Sequence, residues 1–112
     1  MKDDRLYLVH VRECIERIEA YVAEGRDGFL ADTKTQDAVL RNLQTLAEST
    51  QRLSPELKLA HPSVDWLSIA GLRNVLVHDY LGISLKRVWE IVSQDLPALK
   101  RDVHAMLEQL GE

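Results

Sequence analysis

Leu8, Val11, Ile15, Ile18 and Val22 follow one another at alternating intervals of three and four residues, and the same spacing recurs down the chain. On a helix turning about 100° per residue, such positions stack into one apolar stripe. Val39, Leu43, Leu46, Thr50 and Leu53 repeat the pattern, and Val88, Ile91, Val92, Leu96, Leu99, Val103, Met106 and Leu110 carry it to the end. No run alternates apolar and polar residues long enough to predict a strand. The periodicity predicts an all-α chain.

Helix ends are marked by local chemistry. The first helix is expected over residues 3–24, stopping at the glycine-punctuated loop EGRDG, with Phe29 and Leu30 as an apolar tether across it. Thr33 with Gln36 fits a capping box opening the second helix. Ser54-Pro55 ends that helix, because proline disfavours helical geometry in the residue before it, and also caps a short connecting helix reaching about residue 60. Ser63 is the expected cap of a third helix over 64–78, with 79–82 as its exit. Ser84 caps the fourth, where Pro97 predicts a kink or restart near Asp95. The expectation is a bundle of four main helices plus a short connecting helix, one domain over residues 1–112.

The third helix departs from the pattern. Trp66, Leu67, Ile69, Ala70, Leu72, Val75, Leu76 and Val77 surround its axis instead of marking a stripe. A helix apolar all round is buried on all sides, in a core or against a partner. A chain of 112 residues has little with which to surround it, so a homodimer with this helix near a two-fold seam is expected.

Composition narrows the classes. With 46% apolar and 29% charged residues the chain is of globular type, and 5% aromatics leave the core to Leu, Val and Ile. The formal charge of −4 counts against a broad nucleic-acid-coating surface but leaves a small basic cleft open. Cys14 is the one cysteine, which excludes an internal disulfide or a cysteine-rich zinc site, and burial as a small hydrophobe is expected. The opening MKDDRLYLVHVREC has scattered charge and no apolar core of a signal peptide, and no apolar run is long enough to span a membrane; the cytoplasm is the expected location. His10, His61 and His104 lack metal-ligand spacing, and G-x4-G-K-[ST], G-x-G-x-x-G and G-x-S-x-G are missing, so nucleotide hydrolysis and serine-hydrolase chemistry are unsupported.

The polar island of the third helix is RNVLVHDY, residues 73–80. Arg73, Asn74 and His78 interrupt an apolar surface, where charge is normally paired, hydrogen-bonded or turned to a cleft. Five residues of regular helix rotate by about 140°, so Arg73 and His78 share a face only if the arginine reaches round or the helix loosens. Asn74 and His78, four apart, do share one. As bare spacing the pattern is weak. On spacing alone the plainer reading is favoured, with Arg73 paired to an acid such as Glu48 and His78 closing the helix.

RNVLVHDY matches the R-x4-H-x-Y signature of HEPN-domain ribonuclease toxins. More narrowly, the chain resembles the HepT toxins that are paired with MntA-type minimal nucleotidyltransferase antitoxins in type VII toxin–antitoxin systems. QDAVLRNLQTLAEST, HPSVDW and VWEIVSQDLPAL extend the likeness over nearly the whole chain. The resemblance implies a HEPN-type all-α homodimer whose two motifs face one another across a shared cleft. It implies a metal-independent endoribonuclease that needs no cofactor, acting on RNA, with tRNA the target of some relatives. Arg73 and His78 match the catalytic pair, and Tyr80 matches the tyrosine that the antitoxin modifies with AMP. Asn74, Asp79 and, by general similarity, Glu48 stand as supporting residues.

These side chains suit RNA chemistry. RNA carries its own nucleophile in the 2′-hydroxyl. An ordinary imidazole titrates near neutral pH and can take or give a proton, while a guanidinium presents a planar fork of donors to phosphate oxygens. One such histidine per chain cannot easily be base and acid at once; a two-fold dimer supplies two. The other class of reading is a catalytically silent HEPN dimer, a binding scaffold for the nucleotidyltransferase or a nucleotide. A plain helical interaction module would require the motif to be coincidence. Lys86, Arg87, Lys100 and Arg101 form either a positive rim to the cleft or a solvated face.

Overall fold

The computed structural model describes residues 3–111, and it is all-α there. α1 (Asp4–Tyr21) buries Leu8, Val11, Cys14, Ile15 and Ile18, the expected stripe, with Val22 as its C-cap. Burial pushes the Cys14 thiol up. Asp3 caps α1 by accepting the Leu6 N–H at 3.1 Å. The Asp4 carboxylate accepts the Ser54 N–H at 2.8 Å and its hydroxyl at 2.6 Å, which ties the start of α1 to the far end of the next long helix.

The segment expected to be a glycine loop is instead a helix, α2 (Gly25–Ala31). Gly25 makes the turn into it at φ +87°, a conformation that side chains with a Cβ rarely adopt. α2 exists to bury Phe29, whose ring meets Trp89 at a centroid distance of 5.7 Å. α3 (Thr33–Gln51) follows at once, and its cap is Asp32 rather than Thr33. Asp32 accepts the Lys34 N–H and the Thr35 hydroxyl. Gln36 is drawn away from the expected capping box because its amide donates to the carbonyls of Phe29 and Leu30 in the last turn of α2.

Ser54 caps α4 (Pro55–Ala60), as its proline predicts. α5 (Trp66–His78) starts two residues later than expected, capped by Asp65, which accepts the Ser68 N–H and hydroxyl. Val64 is buried, and the Trp66 indole donates to the His61 carbonyl, so the preceding residues are used in a tight turn. Ser84 caps α6 (Leu85–Glu90). The restart predicted from Pro97 is a wide helical turn over Ile91–Asp95, in which the Leu96 N–H reaches back five residues to Ile91. α7 (Leu96–Gln109) then carries Pro97 in its first turn, where a missing N–H does no harm.

α1, α3, α5 and the α6–α7 rod are the four main helices; α2 and α4 make two short ones where one was expected. α3 sits at the centre, packed against α1 on one side and α5 on the other, with α7 closing on α1. Val88, Val103 and Met106 are buried as their spacing predicts, whereas Leu110 is exposed beyond the last turn. α5 is not surrounded within one chain. Leu76 is its one buried residue, while Leu67 is 86% and Val75 41% exposed, because α3 covers a single side.

Candidate active site

Ile69, Arg73, Leu76 and Tyr80 recur at intervals of four, three and four, the stripe of α5 that turns toward α3. Leu67, Gly71, Asn74 and His78 form a second stripe at the same spacing, and all four are exposed, with exposed Leu81 just beyond. α5 stays regular through His78 and closes with the Asp79 N–H on the Val75 carbonyl at 2.8 Å. The helix therefore does not loosen, and Arg73 and His78 leave it in different directions.

Arg73 enters a groove of about 500 Å³ between α1, α3 and α5. Tyr7 and His10 line it from α1, Thr45 and Glu48 from α3, and Arg52 from the C-cap of α3. The Arg73 Nε is buried without a hydrogen-bond partner, and Nη1 donates to Asn74 Oδ1 at 3.3 Å. Glu48 shares the groove, yet no ion pair joins the two among the described residues. A guanidinium half out of water with one neutral partner retains its full demand for an anion.

His78 is exposed and does not line that groove. Asp79 serves as the C-cap of α5, and its carboxylate lies so close over Gly82 that a Cβ there would overlap it. Tyr80 opens a short 3-10 turn (Tyr80–Gly82), and its hydroxyl donates to Asp37 Oδ1 at 3.4 Å. Burial first, then the charge and hydrogen bond of Asp37, push this phenol above its ordinary value near 10. The structure thus brings together Arg73, Asn74 and Glu48 as one group and Tyr80 with Asp37 as another, leaving His78 on the outer face.

Sequence reasoning missed Asp37, Tyr7 and Arg52, and it singled out His10 only as lacking metal-ligand spacing. The signal around the groove was weak: Tyr7 and His10 are three apart on α1, and Glu48 and the C-cap residue Arg52 four apart at the end of α3, spacings found on any helix. Of the two readings of Lys86, Arg87, Lys100 and Arg101, the positive rim is weakened, since Arg87 lies within 3.4 Å of Glu90 and 3.8 Å of Asp95, and Lys100 is 2.9 Å from Glu19. A larger apolar cavity of about 630 Å³ between α3, α5 and the α6–α7 rod contains none of Arg73, His78 or Tyr80.

Residues 11–106 match the family described as ribonuclease HepT-like. The chain belongs to that family. This HepT-like chain is 37% identical over 95 residues to a protein of Thermococcus cleftensis named as a probable ribonuclease HepT, covering 84% of this chain and 86% of the relative. It is 32% identical over 110 residues to a protein of Caldanaerobacter subterraneus subsp. tengcongensis named as a candidate RNase, covering 97% and 98%. It is 34% identical over 112 residues to a Methanocaldococcus jannaschii protein named as a gamma-glutamylcyclotransferase and candidate RNase; there it covers 99% of this chain but spans half the length of the relative. No solved structure is a significant match. No helix among the described residues is long and apolar enough to cross a membrane.

Proposed function

We propose that this HepT-like protein is a metal-independent endoribonuclease acting as a homodimer in the cytoplasm. The observation that carries the reading is Arg73, a guanidinium held in a polar groove with a buried Nε and no acid paired to it. Structural arginines in cores are neutralised; one left wanting an anion suits a phosphate. The names of the relatives favour RNA as the source of that phosphate.

In the proposed reaction a base takes the proton of a 2′-hydroxyl as its oxygen bonds to the adjacent phosphorus. The bond from phosphorus to the 5′-oxygen breaks, and an acid protonates that oxygen. A 2′,3′-cyclic phosphate and a 5′-hydroxyl result. Arg73 meets the charge gathering on the phosphate, and His78 moves a proton. Asn74 orients Arg73, Glu48 limits the groove's positive charge, and Asp79 holds the exit of α5 that carries His78. The exposed stripe Leu67, Gly71, Asn74 and His78 is where a second copy would sit. About a two-fold axis it would bring the partner's motif to the same seam and supply the second imidazole.

Tyr80 is the proposed switch. A cognate MntA-type nucleotidyltransferase antitoxin transfers AMP from ATP to its hydroxyl, with loss of the phenolic proton and release of pyrophosphate, and the added phosphate repels RNA, making the pair a type VII toxin–antitoxin system. A second reading rests on the regular geometry of α5, which parts Arg73 from His78 in one protomer: a catalytically silent dimer that serves the antitoxin as a scaffold. One experiment separates them. RNA, including tRNA, is incubated with wild type, Arg73→Ala and His78→Ala in EDTA. Cyclic-phosphate ends from wild type alone support the ribonuclease; equal inertness of all three supports the scaffold.

A further inference from the structure

We infer that the groove holding Arg73 continues into a binding subsite for the RNA strand, in which Arg52 and His10 take a phosphate beside the scissile one. The inference rests on the ribonuclease reading for its substrate and on the groove for its residues.

Three observations meet here. The Arg52 guanidinium lies over the ring of Tyr7, 5.9 Å from its centroid, which orients a long flexible side chain on a rigid support. His10 meets the edge of the same ring, with centroids 6.0 Å apart and planes at 79°. Tyr7 thereby sets a guanidinium and an imidazole about one platform. Arg73, with its unpartnered Nε, lines the same groove.

Charge points the same way. Arg52 and Arg73 outnumber Glu48 among the arginines and carboxylates of the groove, an excess of one positive unit in a chain whose formal charge is −4. Such an excess in a partly desolvated groove draws anions far more strongly than its size suggests. A volume of about 500 Å³ lies in the range that admits a nucleotide. A strand whose reacting phosphate lies on Arg73 would, within this groove, have its neighbouring phosphate against Arg52. The free face of that guanidinium could take a stacked base, as single-stranded RNA sites commonly do.

The test reads binding, so it does not depend on turnover. A fluorescent 2′-O-methyl oligoribonucleotide, which has no free 2′-hydroxyl to attack with, is titrated against the dimer at several salt concentrations. Arg52→Gln and His10→Gln should each weaken it about tenfold, the scale of a lost charge-assisted contact. Arg52→Gln should also shallow the salt slope by roughly 0.7, one phosphate's share for a single strand. Arg52→Lys should restore the slope, and Arg26→Gln, exposed on α2, should change neither quantity. With cleavable RNA, KM should rise more than kcat falls. Unchanged affinity and slope in both glutamine variants would overturn the subsite. So would inorganic phosphate or AMP binding as tightly as the oligomer, which would make the groove a free-anion site. Tight, Arg52-dependent binding without cleavage would sink the ribonuclease reading while leaving the subsite standing.

Discussion

Arg73 poses the question that the whole motif turns on: what a permanent cation does in an apolar helix. It lies on the α3-facing stripe with Leu76 and Tyr80, and α3 meets it with Glu48 and Arg52 rather than with a paired acid. Tyr80, seven residues on, meets the other end of α3 at Asp37. That contact yields a direct prediction. Folding raises the affinity of the Tyr80 phenol for its proton, so its contribution to stability is fully present below the ordinary value near 10 and is lost as pH rises through the higher folded value. Titration of phenolate absorbance, taken as wild type minus Tyr80→Phe, should show a midpoint above 10. Asp37→Asn should lower that midpoint without returning it to the ordinary value, because burial is the larger cause. A midpoint unmoved by Asp37→Asn would mean that the carboxylate does not sense the phenol.

At the scale of elements, the sequence was most legible where stripes and prolines speak. The α1 stripe, the Ser54 and Ser84 caps and the restart before Pro97 all follow from local spacing and local backbone chemistry. Errors gathered at helix starts, where several hydroxyl or carboxylate side chains compete to be the cap. Asp32 and Asp65 each displaced the expected residue, Thr33 and Ser63, since a carboxylate can accept a backbone N–H and a hydroxyl together. α2 was hidden for another reason: its glycines read as loop, and the burial of Phe29 against Trp89 outweighs their poor propensity. The Asp65 cap has a pH signature. Hydrogen bonds from the Ser68 side chain and then its backbone hold the carboxyl below its ordinary value near 3.8. Its stabilisation is present above that value and is lost as pH falls through the lower folded one. Amide protection in the first turn of α5, measured against the intrinsic exchange rate at each pH, should therefore fall at acid pH in wild type and already be low at neutral pH in Asp65→Ala. Equal protection in both would remove the cap from the account.

For the whole molecule the decisive feature is the uncovered side of α5. Leu67 and Leu81 are 86% and 96% exposed, and a Cβ added at Gly71 between them in space would meet nothing within 4 Å. Gly71→Leu should thus be harmless to the isolated fold and even favour the helix by about 0.5–1 kcal/mol. A second chain seated on this stripe would have no room for the new side chain. Sedimentation should show Gly71→Leu shifted from dimer to monomer, with RNA cleavage falling and helical circular dichroism retained; a variant that stays dimeric and active would move the interface elsewhere. Periodicity by itself determined that the chain is helical, where most helices run, and which side of α1 and α7 is buried, because those depend on neighbours three and four residues away. It also exposed the anomaly of RNVLVHDY. Only the tertiary structure decided that Arg73 faces a groove shared with α1 and α3 while His78 faces outward. Which residues of α3 and α1 stand opposite a given turn of α5 depends on contacts between segments dozens of residues apart, and no local spacing encodes that register.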